Sequence, residues 1–405
     1  MKKAAEAGFR IAQRSDRGGL HTETRDRMKR RRSTTGFGMF FLAALLLSGC
    51  ARPGGLTEPM LDTPEHHVYS GFRLVKKDRL DDARREFEQA LTLRPNYSPA
   101  YRGLGMVYGM TGHLQKGFQF MEKAGESGEN KKQVALAHVG LMRLYTMERN
   151  EGWFDAVERN FAQANALVMD LPDAHYAMGL AYSRAYRLGE ARASFNQVVA
   201  INESLTREAR KQLDLIKTIE SANPTTPIGK TLAFAKAITK AETAGLLIHE
   251  LAVERIYKEN ALERTGHVPE SRHPKENVPV PTDVASHALR DDILRILALD
   301  IEGLRRFEDG AFGPDEEITK AAFATVMADI VMTLEKNPAL GVRYAGVASP
   351  FEDVKKDAPY FNAVMVCKTH GDIMDGQGRF FHPMGTVSGA TALLAIRKLK
   401  GEYNL

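Results

Sequence analysis

Residues 67–94 read HVYSGFRLVKKDRLDDARREFEQALTLR, and residues 101–128 read YRGLGMVYGMTGHLQKGFQFMEKAGESG. His67, Gly71, Leu74, Ala83, Phe87 and Ala90 of the first stretch recur 34 residues later as Tyr101, Gly105, Tyr108, Gly117, Met121 and Ala124. A fixed period of this size marks stacked units that cannot bury their apolar faces alone. Within each unit the apolar residues follow helical spacing, so the unit is a pair of helices. Gly71 and Gly105 let the first helix of a pair approach the second, Ala83 and Gly117 are the small residues facing them, and Phe87, Tyr108 and Met121 fill the groove between. Pro95 closes the first unit. A weaker third unit surrounds Gly140 and carries an insertion near Glu148–Trp153, while a fourth is marked by Gly179, Tyr182, Ala191 and Phe195. Leu205, Ala209, Leu213, Ile216 and Ile219 keep helical spacing and read as the cap of the array.

These residues resemble the tetratricopeptide repeat over residues 63–220. The resemblance implies an α-helical solenoid whose concave face binds a peptide or another protein. A spacer that holds a second domain away from a membrane is the competing reading of the same helices.

Working outward, the N-terminal segment has a different character. From Met28 the chain runs Met-Lys-Arg-Arg-Arg, then an apolar stretch Phe37–Leu47, then Ser48-Gly49-Cys50. An apolar stretch of about 11 residues is too short for a membrane-spanning helix, which needs about 20, and reads as a signal peptide over residues 1–49 with Met28 as the true start. Leu47-Ser48-Gly49-Cys50 resembles the lipobox of bacterial lipoproteins. That implies acylation of Cys50, cleavage before it, and a lipidated tether over residues 50–62. Ala51 in place of Asp implies sorting to the outer membrane of a diderm bacterium.

Charge follows the same division. The chain of 405 residues carries a formal +5, with 43% hydrophobic and 26% charged side chains. Eleven Lys/Arg against four Asp/Glu lie in residues 1–49, and removing that +7 leaves residues 50–405 at −2. Nucleic acid is therefore not an expected partner. Two cysteines, Cys50 and Cys367, exclude a disulfide framework and a four-cysteine zinc site.

The pattern changes again at Ser221-Ala-Asn-Pro-Thr-Thr-Pro227, a helix-breaking linker. Beyond it, Thr282-Asp283-Val284, a helix at Asp291–Leu299, Asp309-Gly310-Ala311-Phe312-Gly313-Pro314 and Ile318-Thr319-Lys320-Ala321 form one copy of a second repeat. Phe351-Glu352-Asp353-Val354, a helix near Tyr360–Thr369, Asp375-Gly376 through Phe381-His382-Pro383 and Val387-Ser388-Gly389-Ala390 form the next. Val284 to Pro314 is 30 residues and Val354 to Pro383 is 29; the step from Pro to the following Ile or Val is four in both. Asp-Gly supplies a tight turn, Phe312 and Phe381 point to a core, and Thr239 and Thr319 read as helix N-caps with Lys240 and Lys320 in the first turn.

These motifs resemble the S-layer homology domain, covering residues 222–405 with units at about 226–258, 282–335 and 350–400. The resemblance implies a mostly helical pseudo-trimer that binds anionic cell-wall glycan in grooves between units. It places the groove cation at Lys240 and Lys320, with Thr239, Glu242 and Thr319 beside them, and at uncharged Gly389 in the third unit. Lysine in place of arginine loses the bidentate fork suited to carboxylate or phosphate. Glu263–Pro281, with His267 and His273, reads as an exposed inserted loop.

Fragments that imitate catalytic motifs fail on inspection. Ile228-Gly229-Lys230-Thr231 has Pro224 where a phosphate-binding loop needs its first Gly, and His249-Glu250 has Val253 where a zinc-protease helix needs its second His. Gly103-x-Gly105 has no preceding strand. Cys367 and His370 lack a third member, and read as a buried thiol and a surface imidazole. The sequence thus predicts a mainly all-α chain with no enzymatic activity, cofactor or metal. It predicts an outer-membrane lipoprotein facing the periplasm, anchored in the membrane through lipid. Its expected partners are peptidoglycan or an associated polysaccharide, and an envelope protein on the repeat face. The alternative is an assembly scaffold for a secretion, pilus or polysaccharide-export complex, with both modules binding protein.

Overall fold

The structure is a computed structural model that describes residues 62–262, 278–374, 376 and 378–405. The signal segment, Cys50 and most of the His-containing loop after Glu263 lie outside the described residues. Among the described residues the chain is helical throughout, with two isolated backbone bridges and no strand. No helix there is long and apolar enough to cross a membrane. The chain divides into two compact units between Ala209 and Arg210. That point precedes the Ser221 linker because one helix runs without a break from Thr206 to Ala222.

The first unit is a succession of helical hairpins: α1 (Pro64–Lys76) with α2 (Leu80–Leu93), α3 (Ser98–Met110) with α4 (Leu114–Glu126), α5 (Lys131–Glu148) with α6 (Trp153–Leu167), and α7 (Pro172–Arg184) with α8 (Leu188–Ile201). First helices of successive hairpins also pack on one another, α1 on α3, α3 on α5 and α5 on α7. Pro at the first turn starts α1, α3 and α7, where its missing N–H costs nothing. The glycines explain the period. A Cβ on Gly71 would lie 2.6 Å from the Phe87 ring and one on Gly103 2.3 Å from it, so Phe87 of α2 is wedged between α1 and α3. Met121 of α4 is wedged in the same way between Gly105, 2.8 Å, and Gly140, 2.2 Å. Phe195 faces Gly179 at 2.7 Å. All three side chains are fully buried.

The third hairpin departs from the others where its sequence pattern is weakest. Helix α5 runs 18 residues against 13 in α1, α3 and α7, which absorbs most of the insertion near Glu148. Its partner α6 buries Asn160, whose amide donates to the Ala156 carbonyl at 2.8 Å and pairs with His138 at 2.9 Å.

The second unit holds α9 (Thr206–Ala222), α10 (Pro227–Leu232), α11 (Lys240–His249), α12 (Val253–Leu262), α13 (Arg290–Leu299), α14 (Lys320–Leu334), a 3₁₀ turn Pro338–Gly341, α15 (Phe361–Thr369) and α16 (Gly389–Tyr403). Its centre is a closed ring of backbone hydrogen bonds. The Ile238 N–H donates to the Val387 carbonyl at 2.9 Å, Val387 N–H to Ile318 at 3.2 Å, and Ile318 N–H to Ile238 at 3.0 Å. Each of these residues immediately precedes an N-cap, so the ring gathers the starts of α11, α14 and α16 around one point.

Truncating Phe87 to Ala removes the wedge between two glycine-bearing helices and leaves a cavity. The variant is expected to lose about 3–5 kcal/mol of stability, read by urea denaturation, whereas Met169→Ala at an exposed turn should be near neutral.

Candidate functional site

The three helices that leave the ring have matched N-caps. The Thr239 hydroxyl accepts the Glu242 N–H at 3.2 Å, that of Thr319 accepts Ala322 N–H at 3.2 Å, and that of Ser388 accepts Thr391 N–H at 3.2 Å. Only the first is a complete capping box, because Glu242 Oε2 accepts the Thr239 N–H at 2.8 Å. The next backbone amides tie each helix to a neighbouring turn. Lys240 and Ala241 N–H donate to Glu316 and Pro314 carbonyls at 2.9 and 3.1 Å, while Lys320 and Ala321 donate to Gly385 and Pro383 at 2.8 and 2.9 Å.

Each lysine then reaches one more carbonyl on the same turn. Lys240 Nζ donates to the Phe312 carbonyl at 2.5 Å, and Lys320 Nζ to that of Phe381 at 3.2 Å. Phe312 and Phe381 stand six residues before Ile318 and Val387, and the residue six before Ile238 is Leu232. The third copy of this arrangement therefore pairs Gly389 with the Leu232 carbonyl. A Cβ on Gly389 would lie 1.7 Å from that oxygen. Gly389 N–H bonds to Ala235 at 2.9 Å, one residue earlier than the register of Glu316 and Gly385. That shift draws the start of α16 against the end of α10. The uncharged third position is closed by backbone, and no side chain fits there.

The two lysine positions differ in exposure. Lys240 is only 8% exposed, with its ammonium 3.9 Å above the Phe307 ring and 5.0 Å from that of Phe312. Burial holds its pKa below the ordinary lysine value, against the opposing charges of Glu316 and Asp283. Lys320 is half-buried, 5.7 Å from the Phe381 ring centre. The structure brings Thr239, Lys240 and Glu242 together at one helix start and Thr319 and Lys320 at another. Glu242 is 2% exposed, and burial pushes its carboxyl up to about 7, against the hydrogen bond from Thr239 and with Asp315 and Glu317 adding to the rise.

Sequence reasoning assigned no role to Asp283 and Asp353, yet these carboxylates shape the turns that the lysines contact. Asp283 accepts the N–H groups of Phe312 and Gly313 at 3.0 and 2.8 Å, and Asp353 those of Phe381 and His382 at 2.8 and 2.7 Å. Burial works against ionisation of Asp353, but these backbone donors prevail and its pKa lies below the usual carboxylate range. The signal was present in the near-equal spacing of each Asp from its Phe, 29 residues for Asp283 and 28 for Asp353. The segment at about 226–258 has no such opening, and Glu250 at the end of α11 supplies the anchor. Its carboxylate accepts from the Thr226 N–H and hydroxyl at 2.8 and 2.6 Å and from the Thr225 N–H at 3.1 Å.

A family model for the S-layer homology domain matches residues 350–393. The C-terminal segment is an S-layer homology unit. A comparison with curated proteins found no match. The matched segment supplies Asp353, the Phe381–Gly385 turn that Lys320 contacts, and Gly389. An S-layer homology unit is a binding module for the cell wall, and associates this chain with the cell envelope.

The fragments resembling catalytic motifs are engaged elsewhere. Gly229 lies in α10 with Glu250 against it, and His249 pairs with Asp292 at 3.0 Å. The Cys367 thiol is fully buried and pushed up to about 12 by that burial. The expectation of a surface His370 is corrected. Its side chain is 14% exposed, because the ring folds back on the Val366 carbonyl at 2.9 Å and faces Glu335 at 3.4 Å. Among the described residues no three His, Cys, Asp or Glu gather to hold a metal ion.

Two outcomes follow from the geometry. Because the folded carboxyl of Glu242 titrates near 7 against an ordinary 4.5, its stabilising effect is complete below pH 4.5 and is lost as pH rises to 7. Urea unfolding should show a loss of up to about 3 kcal/mol across that window, and Glu242→Gln should abolish that slope. Gly389→Ala should cost about 3 kcal/mol or more, while Gly401→Ala on the same helix, with open space around it, should raise stability by up to about 1 kcal/mol.

Proposed function

We propose that this protein is a non-catalytic outer-membrane lipoprotein that holds the envelope together by gripping peptidoglycan or an associated wall polysaccharide. The observation that carries this reading is the S-layer homology match at residues 350–393, whose turn forms one wall of the Lys320 groove. In this reading Lys320 supplies the cation for an acidic sugar, with Thr319 fixing the helix start that aims it. Lys240, with Thr239 and Glu242, forms a second and more enclosed groove. Acyl chains on Cys50 hold the chain in the outer membrane, and the tetratricopeptide-like hairpins of residues 63–220 recruit an envelope protein. Anchoring raises the effective concentration of a weak glycan site at the wall, so modest intrinsic affinity suffices.

A scaffold that uses both modules to bind protein is favoured by one feature, the backbone closure at Gly389, which leaves two lysine positions, one buried and one half-buried. Co-sedimentation of the purified chain with peptidoglycan sacculi separates the two. Wild type should pellet with sacculi, and Lys320→Ala should bind roughly tenfold more weakly, the usual loss of one charge-assisted hydrogen bond. Lys240→Ala should have the smaller effect. Wild type remaining in the supernatant across moderate salt and pH contradicts wall binding and leaves the scaffold.

A further inference from the structure

The first helix of the array begins with two histidines, and the second of them is held from both sides. His67 sits one turn into α1. Its Nδ1 lies 2.7 Å from Glu86 Oε2 on α2, and its Nε2 lies 2.7 Å from Oδ1 of Asp62, the residue just before the N-cap Thr63. An ionised carboxylate only accepts hydrogen bonds, so each contact needs an N–H. A neutral imidazole carries one N–H and the imidazolium carries two. The arrangement is therefore that of the charged ring.

The charges around it agree. The hydrogen bond to Asp62 is the largest influence and raises the His67 pKa above the ordinary 6.5; partial burial opposes it, and Glu86 adds to the rise. Nearby cations are engaged elsewhere. Arg94 meets Glu65 of α1 at 3.1 Å and Glu129 at 2.9 Å, Arg79 and Arg85 share Asp82 of α2, and Arg102 of α3 lies over the Phe72 ring at 4.7 Å. His66 stands edge-on to the His67 ring, 6.0 Å between centroids. The two carboxylates differ in shelter, Glu86 being 32% exposed and Asp62 65%. A ring that loses one proton keeps Nδ1–H on the sheltered Glu86 and turns the Nε2 lone pair on Asp62. A lone pair facing a carboxylate repels it, so the Asp62 link is the one that opens.

Asp62 is where the chain enters the array. The Thr63 hydroxyl accepts the His66 N–H at 3.2 Å and its carbonyl accepts the His67 N–H at 3.1 Å. Tying Asp62 to His67 closes a short loop over this first turn and fixes the direction from which the preceding chain arrives. We infer that His67 is an acid-closed clamp on the exit of the N-terminal tether, shut when the ring is protonated and open when it is neutral. Its use to the protein rests on the reading that Cys50, 12 residues before Asp62, carries the membrane anchor. A segment of that length spans at most about 40 Å, so a fixed exit turns one side of the array toward the membrane.

The test is a pH titration of the purified chain carrying carbon-13-labelled histidine, followed by NMR at Cε1–Hε1 and assigned with His67→Gln. His67 should titrate above 6.5, and Asp62→Asn and Glu86→Gln should each lower its midpoint. Hydrogen exchange gives a second readout. After correction for intrinsic rates, the His66 and His67 amides should be about two- to fivefold better protected below the midpoint than above it, a range set by the strength of exposed ion pairs. His67→Gln and Asp62→Asn should abolish that step, and Asp81→Asn, at an exposed position of the helix that carries Glu86, should leave it. Asp62 precedes α1, so its substitution reads the clamp without breaking the helix. A wild-type midpoint at or below 6.5, a midpoint indifferent to both carboxylate substitutions, or protection without a pH step overturns the clamp. Mass spectrometry of the same preparation keeps the two claims apart. An unacylated Cys50 would remove the anchor and leave the clamp, whereas an unshifted His67 would remove the clamp and leave the anchor.

Discussion

The C-terminal unit depends on three backbone hydrogen bonds that close on themselves. Ile238 donates to Val387, Val387 to Ile318 and Ile318 to Ile238, and all three side chains are buried. Buried backbone groups left unpaired are costly, so this ring ties distant segments of sequence into one arrangement. Every later feature inherits its geometry: the three N-caps, the helix starts they fix, and the approach of each helix start to a neighbouring turn.

Near-threefold repetition makes the differences informative. At two of the three positions a lysine spans the distance from its helix start to a turn carbonyl, at Phe312 and Phe381. At the third the helix has moved in until Gly389 touches the corresponding carbonyl of Leu232. A lysine–carbonyl contact and a sealed backbone joint are thus alternative uses of one position. Of the two lysine contacts that remain, the one at Lys320, made to the matched segment, is the less buried. The carboxylates of Asp283 and Asp353 hold the turns that present those carbonyls, and Glu250 anchors the start of α10 in their place.

Much of this was legible in sequence because period and residue size carry it. The 34-residue spacing gave the hairpins, and the pairing of small with large residues pointed to the wedges at Phe87 and Met121. Thr239 and Thr319 were readable as caps, since a hydroxyl followed by an apolar helix is a local signal. The rest required distance. That Gly103 also faces Phe87 depends on how α3 packs on α1, and Gly103 had drawn notice only as part of a false nucleotide motif. That Gly389 is pressed on Leu232 depends on residues more than 150 apart in sequence. The single His370 read as a surface group because its spacing does not reveal that its ring folds onto its own helix end. Residues preceding Asp62, which carry the anchor in this account, lie outside the described structure.

The central claim is that one backbone ring fixes both the Lys320 contact at the Phe381 turn and the closed Gly389 joint. Hydrogen exchange of the full chain, with and without solubilised glycan strands, tests it directly. The account predicts that the amides of Ile238, Ile318 and Val387 exchange together in the slowest class of the C-terminal unit. It predicts also that glycan slows exchange around Lys320 and Gly385 and leaves Gly389 unchanged. Separate exchange of the three ring amides, or glycan protection centred on Gly389, would contradict it.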